Sequence, residues 1–230
     1  METQPTVLVF DVNETLLELE SMAPLFTRVF GDPMALRQWF NQLVLYSMTV
    51  TLSGCYTDFF VLSKAVLQML ADVHGVSLTA DDRDAIAQGM RTMPAHPDVE
   101  GGLKALADQG FRLVTLTNSP VRADASSPLD NAGLGDYFER QFSVHTLRAF
   151  KPATGLYTNV ADELSVAPSE CMMVAAHAWD IIGAQRAGYA GALITRPGNA
   201  PLRAEGVPEP TVLARDILDL AARLSRATRG

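Results

Sequence analysis

An α/β fold is predicted for this chain: a parallel sheet, covered by helices, with a helical block inserted after the first strand. Three observations predict it. Thr6–Phe10 (TVLVF) is short, β-branched and apolar, the composition of a strand buried on both faces. From about Leu17 to Met93 helical periodicity takes over, with no convincing strand. Beyond Pro94-Ala95-His96-Pro97 strand-like and helix-like segments alternate, which implies a parallel sheet with helices on both faces.

The elements follow in order. The first strand ends in Asp11-Val12-Asn13-Glu14-Thr15, where polar groups collect. Met22–Phe30, Ala35–Tyr46, Asp58–His74 and Thr79–Arg91 are the helices of the inserted block. Gly31-Asp32-Pro33 and His74-Gly75 punctuate them, and Thr79-Ala80-Asp81-Asp82 has the form of a helix start. After the proline break come helix Val99–Gln109, strand Arg112–Thr117 and helix Pro128–Ala132, with Gly133 behind it. A strand at Gln141–Val144, helix Gly155–Leu164, strand Cys171–Ala176, helix Trp179–Ala187, strand Ala192–Thr195 and a final helix Ala214–Arg226 complete the pattern. Residues 1–16 and 98–230 are therefore expected to form the core, and 17–97 a helical cap.

Composition bounds the function. The 230 residues suit one large domain or a core with a smaller insertion; 48% are apolar, enough for a sizeable core, and the 19% charged fraction argues against disorder. A net charge of -8 disfavours nucleic acid and anionic membranes as partners. It leaves room for a small anionic substrate, because one local cation outweighs the average field. No apolar run approaches the ~20 residues of a membrane span. METQPT lacks the positive charge of a signal peptide, so a cytoplasmic location is expected. Cys55 and Cys171 are too few for a disulfide framework and not in metal-ligand spacing; both are expected to be small core hydrophobes. An apolar cap and core surface would allow a homodimer.

Ligands of open parallel sheets sit at the carboxyl ends of the strands. The reactive residues expected there are Asp11, Thr117 and Asn118, Lys151, and the run Ala175-Ala176-His177-Ala178-Trp179-Asp180. Each has a structural alternative: Asp11, Thr15 and Asn118 as turn or cap residues, Lys151 as a solvated charge, Asp180 as a first-turn acid, His177 as a buried histidine bonded to backbone. Four unrelated caps have no reason to converge on one edge in this order. His74, His96 and His145 fall at helix ends or connectors and are expected to be structural.

These residues carry a family likeness. Asp11-Val12-Asn13-Glu14-Thr15-Leu16 resembles the first motif of the haloacid dehalogenase superfamily, an Asp followed four residues later by Thr. Leu116-Thr117-Asn118-Ser119 resembles the second, Phe150-Lys151-Pro152 the third and Trp179-Asp180 the fourth, in the same order over nearly the whole chain. The pattern is most like that of the type II 2-haloacid dehalogenases, with Tyr157 after the lysine and Ala178-Trp179-Asp180.

The resemblance implies a Rossmann-like core, a single helical cap, and hydrolysis of a small 2-haloacid to the 2-hydroxy acid without metal or other cofactor. Asp11 would attack the halogen-bearing carbon and give an aspartyl ester, which water then hydrolyses. Lys151 would favour the Asp11 anion and Asp180 would help the water; His177, which departs from the family motif, could itself orient or deprotonate the water or bond the halide, since both its charge states are accessible near pH 7. Thr15, Thr117, Asn118, Phe40, Tyr157 and Trp179 would shape the substrate site.

Most members of the superfamily are Mg²⁺-dependent phosphatases, with a second Asp two residues after the nucleophile and a carboxylate in the fourth motif. Here those positions are Asn13 and Ala176, so the phosphatase alternative is disfavoured. A catalytically idle binding member would have lost Asp11 or Lys151, and neither is lost. Two departures stand out. The arginine that follows a tryptophan in the first cap helix of the family is Phe40 here, after Trp39, with Arg37 one turn away. The fourth motif has His177 where the family uses an asparagine.

Overall fold

The run of apolar residues at the start of the chain forms β1 (Val7–Phe10), every residue of it fully buried. Residues 4–120 and 126–227 are described in the computed structural model of the protein. β1 is joined by β2 (Arg112–Thr117), β3 (Arg140–Ser143), β4 (Cys171–Ala175), β5 (Ala190–Ile194) and β6 (Val212–Ala214) in one sheet of order β3-β2-β1-β4-β5-β6. All pairings are parallel. The order reverses between β1 and β4, and the carboxyl edge at such a reversal is where a doubly wound sheet opens a crevice for ligand. The sheet is thus Rossmann-like.

Four helices make up the block inserted after β1, ahead of the helix that leads into β2: α1 (Ala23–Phe30), α2 (Ala35–Leu52), α3 (Phe59–His74) and α4 (Ala80–Arg91). Gly31 ends α1 at φ 69, a left-handed turn that glycine adopts without strain. The Asp58 carboxylate caps α3 by accepting from Phe60 N, and Thr79 and Asp82 form a capping box on α4. The block leaves and rejoins the sheet side by side: Leu17 and Ala95 form an antiparallel bridge, and His96 N donates to Leu16 O at 3.0 Å. The remaining helices are α5 (Val99–Asp108), α6 (Pro128–Asn131), α7 (Thr154–Leu164), α8 (Ala178–Arg186) and α9 (Ile217–Ala227). Among the described residues no helix is long and apolar enough to cross a membrane.

Several expectations need correction. Cys55 is exposed, while Cys171 is buried in β4 as expected; Cys55 follows the exposed Leu52, Ser53 and Gly54 in the turn after α2. α2 runs to Leu52, past the expected end at Tyr46. The hydroxyls of Ser47, Thr49 and Thr51 donate to the carbonyls four residues back, so residues that disfavour helix are accommodated within it. The final helix begins at Ile217 rather than Ala214, because Ala214 completes β6, a three-residue edge strand behind Pro208 and Pro210 that the apolar pattern did not reveal.

Candidate active site

Asp11 follows directly on β1, and its backbone N donates to Val174 O of β4 at 3.0 Å, so the carboxylate stands at the reversal of the sheet. Each oxygen has a donor. Lys151 Nζ donates to Oδ1 at 2.8 Å and Thr15 Oγ1 to Oδ2 at 2.7 Å. Lys151 also donates to Asp180 Oδ2 at 2.6 Å and to the β2 carbonyl of Leu116 at 2.8 Å, so all three ammonium protons are satisfied in a buried setting. Tyr157 OH donates to Asp180 Oδ1 at 2.6 Å. The Lys151 turn rests against α8: a Cβ built on Gly183 falls 2.5 Å from Pro152 Cβ and 2.7 Å from its carbonyl oxygen. Although alanine is the better helix former, Gly183→Ala is expected to destabilise the protein by about 1–3 kcal/mol through overpacking. Urea unfolding checks this, and an unchanged midpoint contradicts it.

The two carboxylates are driven apart electrostatically. Burial raises the Asp11 carboxyl, but the Lys151 ammonium and His177 outweigh it and hold Asp11 well below the usual carboxylate range. For Asp180 burial, joined by the Asp11 charge, wins over Lys151 and Tyr157, and its pKa is raised. Asp11 is thus an anion at neutral pH, and Asp180 the more basic of the pair.

A second network meets Asp11 from the side of α8. His177 Nδ1 stands 3.5 Å from Asp11 Oδ2, and Nε2 lies 2.7 Å from Glu14 Oε2. Its ring is stacked on Trp179, with centroids 5.0 Å apart, and faces Phe40 at 5.7 Å. Burial works against a proton on His177, but the Asp11 and Glu14 carboxylates prevail and its pKa is pushed up to about 9. Glu14 in turn accepts from Arg37 and, at 2.8 Å, from Asn199 Nδ2. Arg37 also pairs with Glu20 and donates to Pro197 O at 3.2 Å. Its guanidinium is therefore occupied by two carboxylates rather than presented to a leaving group.

The structure brings Asp11, Lys151, Asp180, His177, Thr15, Tyr157 and Trp179 into one cluster. Thr15 and Tyr157, expected to contact substrate, are fully buried. The Thr15 hydroxyl donates to Asp11 and accepts from Ala176 N at 2.9 Å, and Tyr157 donates to Asp180, so both hold carboxylates rather than face a cavity. Thr117 and Asn118 close the end of β2; the Thr117 hydroxyl accepts from Ser119 N, and Asn118 Oδ1 accepts from Lys151 N at 3.1 Å. Phe40, His177, Trp179, Arg37 and Asn199 line a cavity of about 580 Å³ between α2 and the loops after β1, β4 and β5.

Of the histidines expected to be structural, His74 meets Gln38 and His145 meets Tyr56. His96 Nε2 lies 3.1 Å from Glu14 O and so holds the active-site loop. Glu14 was not singled out in the sequence, yet it is buried and sits at φ 67.

The divalent cation of the phosphatases does not fit these residues. Asp11 and Asp180 each give an oxygen to Lys151, and Asn13 and Ala176 bring no further carboxylate. Among the described residues no group of three or more His, Cys, Asp or Glu is arranged to hold a metal ion.

Comparison with known proteins places this geometry in context. A sequence model of haloacid dehalogenase-like hydrolases matches residues 5–188. The chain is 29% identical over 190 residues to (S)-2-haloacid dehalogenase 1 of Pseudomonas sp. (strain CBS-3), covering 82% of this chain and 83% of that protein. It is 28% identical over 195 residues to (S)-2-haloacid dehalogenase 4A of Burkholderia cepacia, covering 84% of each. The fold matches that of the L-2-haloacid dehalogenase from Xanthobacter autotrophicus, solved with chloropropionic acid covalently bound. The TM-score is 0.85 at 24% identity, over 97% of this chain and 99% of that one.

Proposed function

Since the chain belongs to the haloacid dehalogenase-like hydrolases, we propose that it hydrolyses the carbon–halogen bond of a small 2-haloacid, giving the 2-hydroxy acid by way of an ester on Asp11. The observation that carries this reading is the state of Asp11: a buried carboxylate kept ionised by Lys151 and His177, with an asparagine rather than a second aspartate two residues on. An anion so placed is a nucleophile, and its carboxylate oxygen displaces halide at the substrate's C2. Halide is a weak base and leaves without a proton, so the asparagine at position 13 is no obstacle, whereas an alkoxide leaving group would need an acid there. The relatives named (S)-2-haloacid dehalogenase support the same reading. Thr117 and Asn118 would hold the substrate carboxylate, and Phe40 and Trp179 would wall the cavity against water. The helices from α1 to α4 would act as the cap over it.

The same reading makes the reaction metal-independent, because Lys151 supplies the cation between the two carboxylates. Chloride release from (S)-2-chloropropionate is therefore expected to proceed at an unchanged rate after exhaustive treatment with EDTA. Activity lost on chelation and restored by Mg²⁺ would instead favour a phosphatase-like hydrolase.

A further inference from the structure

We propose that His177, held by Glu14, is the general base that takes the proton from the water hydrolysing the Asp11 ester, a task the motif pattern would give to Asp180. The inference rests on the dehalogenase reading above and extends it to the second half of the reaction.

Access separates the two candidates. The Asp180 side chain is fully enclosed, and its oxygens are bonded to Tyr157 OH and Lys151 Nζ. His177 lines the cavity below α2. Its Nδ1 is buried, lies 3.5 Å from Asp11 Oδ2 and finds no hydrogen-bond partner among the described residues. In the proposed step the water enters between Nδ1 and the ester carbonyl of Asp11, the group that Nδ1 faces. The bond from Nε2 to Glu14 at 2.7 Å fixes the tautomer: a neutral His177 keeps its proton on Nε2 and turns the Nδ1 lone pair toward Asp11. This is the logic of a base oriented by a second carboxylate.

Glu14 is then a positioning residue. It occupies the left-handed region at φ 67, which L side chains avoid, in a buried site where it also accepts from Arg37 and Asn199. Such backbone strain persists only where the surroundings over-determine it, and here Arg37 and Asn199 hold one oxygen of the carboxylate whose other oxygen meets His177.

The proton balance closes. In the free enzyme Asp11 and Glu14 both favour the imidazolium. Attack forms the C2–O bond and breaks the C2–halogen bond, and the Asp11 charge disappears into the ester. The halide departs, and His177, now facing Glu14 as its only anion, loses its proton to solvent. Water adds to the ester carbonyl and gives a proton to Nδ1. Collapse breaks the carbonyl–O bond, the hydroxy acid leaves with the remaining proton, and Asp11 and the imidazolium are restored. The charged groups that face the ring are Asp11 and Glu14; Lys151 and Arg37 act through these carboxylates, and Phe40 and Trp179 carry no charge.

Rapid-quench mass spectrometry with (S)-2-chloropropionate tests this. His177→Gln, which keeps a polar side chain between Phe40 and Trp179, is expected to release one chloride per enzyme in a burst and to accumulate the Asp11 adduct. Ester hydrolysis should slow by about 10²–10⁴-fold, the usual contribution of a general base, while ester formation changes far less. Glu14→Gln is expected to accumulate adduct as well and to move the midpoint of the rise of ester hydrolysis with pH to lower pH, because it removes an anion that favours the imidazolium. That midpoint would not move if Glu14 only supported the fold, and it keeps the test decisive if His177→Gln folds poorly. Slower ester formation without adduct in His177→Gln overturns the proposal, as does adduct accumulating in Asp180→Asn but in neither other variant. Wild-type enzyme that releases no chloride and forms no adduct overturns the dehalogenase reading itself.

Discussion

Asp11→Asn is expected to abolish halide release, by at least about 10⁴-fold, the scale of removing a nucleophile that acts as part of a unit. The amide is nearly isosteric with the carboxylate, so Thr15 keeps a partner, and Lys151 retains Asp180 and the Leu116 carbonyl. The fold should therefore persist, as judged by circular dichroism and the unfolding midpoint. What is lost is the anion, since an amide oxygen cannot displace halide at a useful rate. The wild-type protein offers the complementary measurement. In a single turnover in ¹⁸O-labelled water, hydrolysis of the ester carbonyl places the label in Asp11, and the first product molecule carries the unlabelled oxygen of the enzyme. Label found in the product of that first turnover would mean that water attacks the substrate directly, and the covalent route would be wrong.

Why the sheet and most of the cluster could be read from the sequence follows from where each signal is stored. β1 and β4 are buried on both faces and their apolar runs are unbroken, while β2 is broken only by Thr115, and a reactive group follows or ends each. Asp11 and Asp180 are legible for the same reason, standing directly after β1 and in the first turn of the helix that follows β4, whereas Lys151 is legible through Phe150-Lys151-Pro152. β6 was missed because three residues at an edge, with Val212 and Leu213 partly exposed, leave no period to count. Cys55 was misplaced because burial frequencies for cysteine say nothing about an exposed turn.

Glu14 was illegible for a different reason. Within Asp11–Thr15 it stands in a gap between the two expected residues, and its partners His177, Arg37 and Asn199 are distant in sequence. The one local signal is its left-handed backbone, which a sequence does not display. His177 looked like a lone substitution in the fourth motif. Paired with Glu14 it is half of a buried ion pair, and the two departures from the family pattern, His177 and the phenylalanine at position 40, meet in one ring contact. Arg37, one helical turn from Phe40, clamps Glu14. The chain thus carries the aspartate and lysine of the family pattern and sets an imidazole, held by Glu14, in the wall of the site.

Lys151→Met is expected to change stability and activity in opposite directions with pH. The methionine fills much of the same volume but leaves Asp11 and Asp180 buried without their shared cation. Breaking a buried pair from one side costs about 3–5 kcal/mol at neutral pH. In the wild type the folded-state pKa of Asp11 lies below its unfolded value, so the stability it contributes is present above that unfolded value and is lost as pH falls through the folded one. Without Lys151, His177 alone opposes burial at Asp11 and its folded pKa rises, while that of Asp180, already raised, is pushed further above the unfolded value. The folded variant then binds more protons than the unfolded chain, and its stability increases as pH falls. The stability gap between variant and wild type should therefore be widest near pH 7 and narrow toward pH 5, which urea unfolding at several pH values measures. Activity runs the other way, because a protonated Asp11 is no nucleophile: halide release by Lys151→Met should be lower than wild type and should recover as the pH is raised. A gap that stays constant with pH, or a variant as stable as wild type, would mean that Lys151 does not supply the charge that keeps Asp11 ionised.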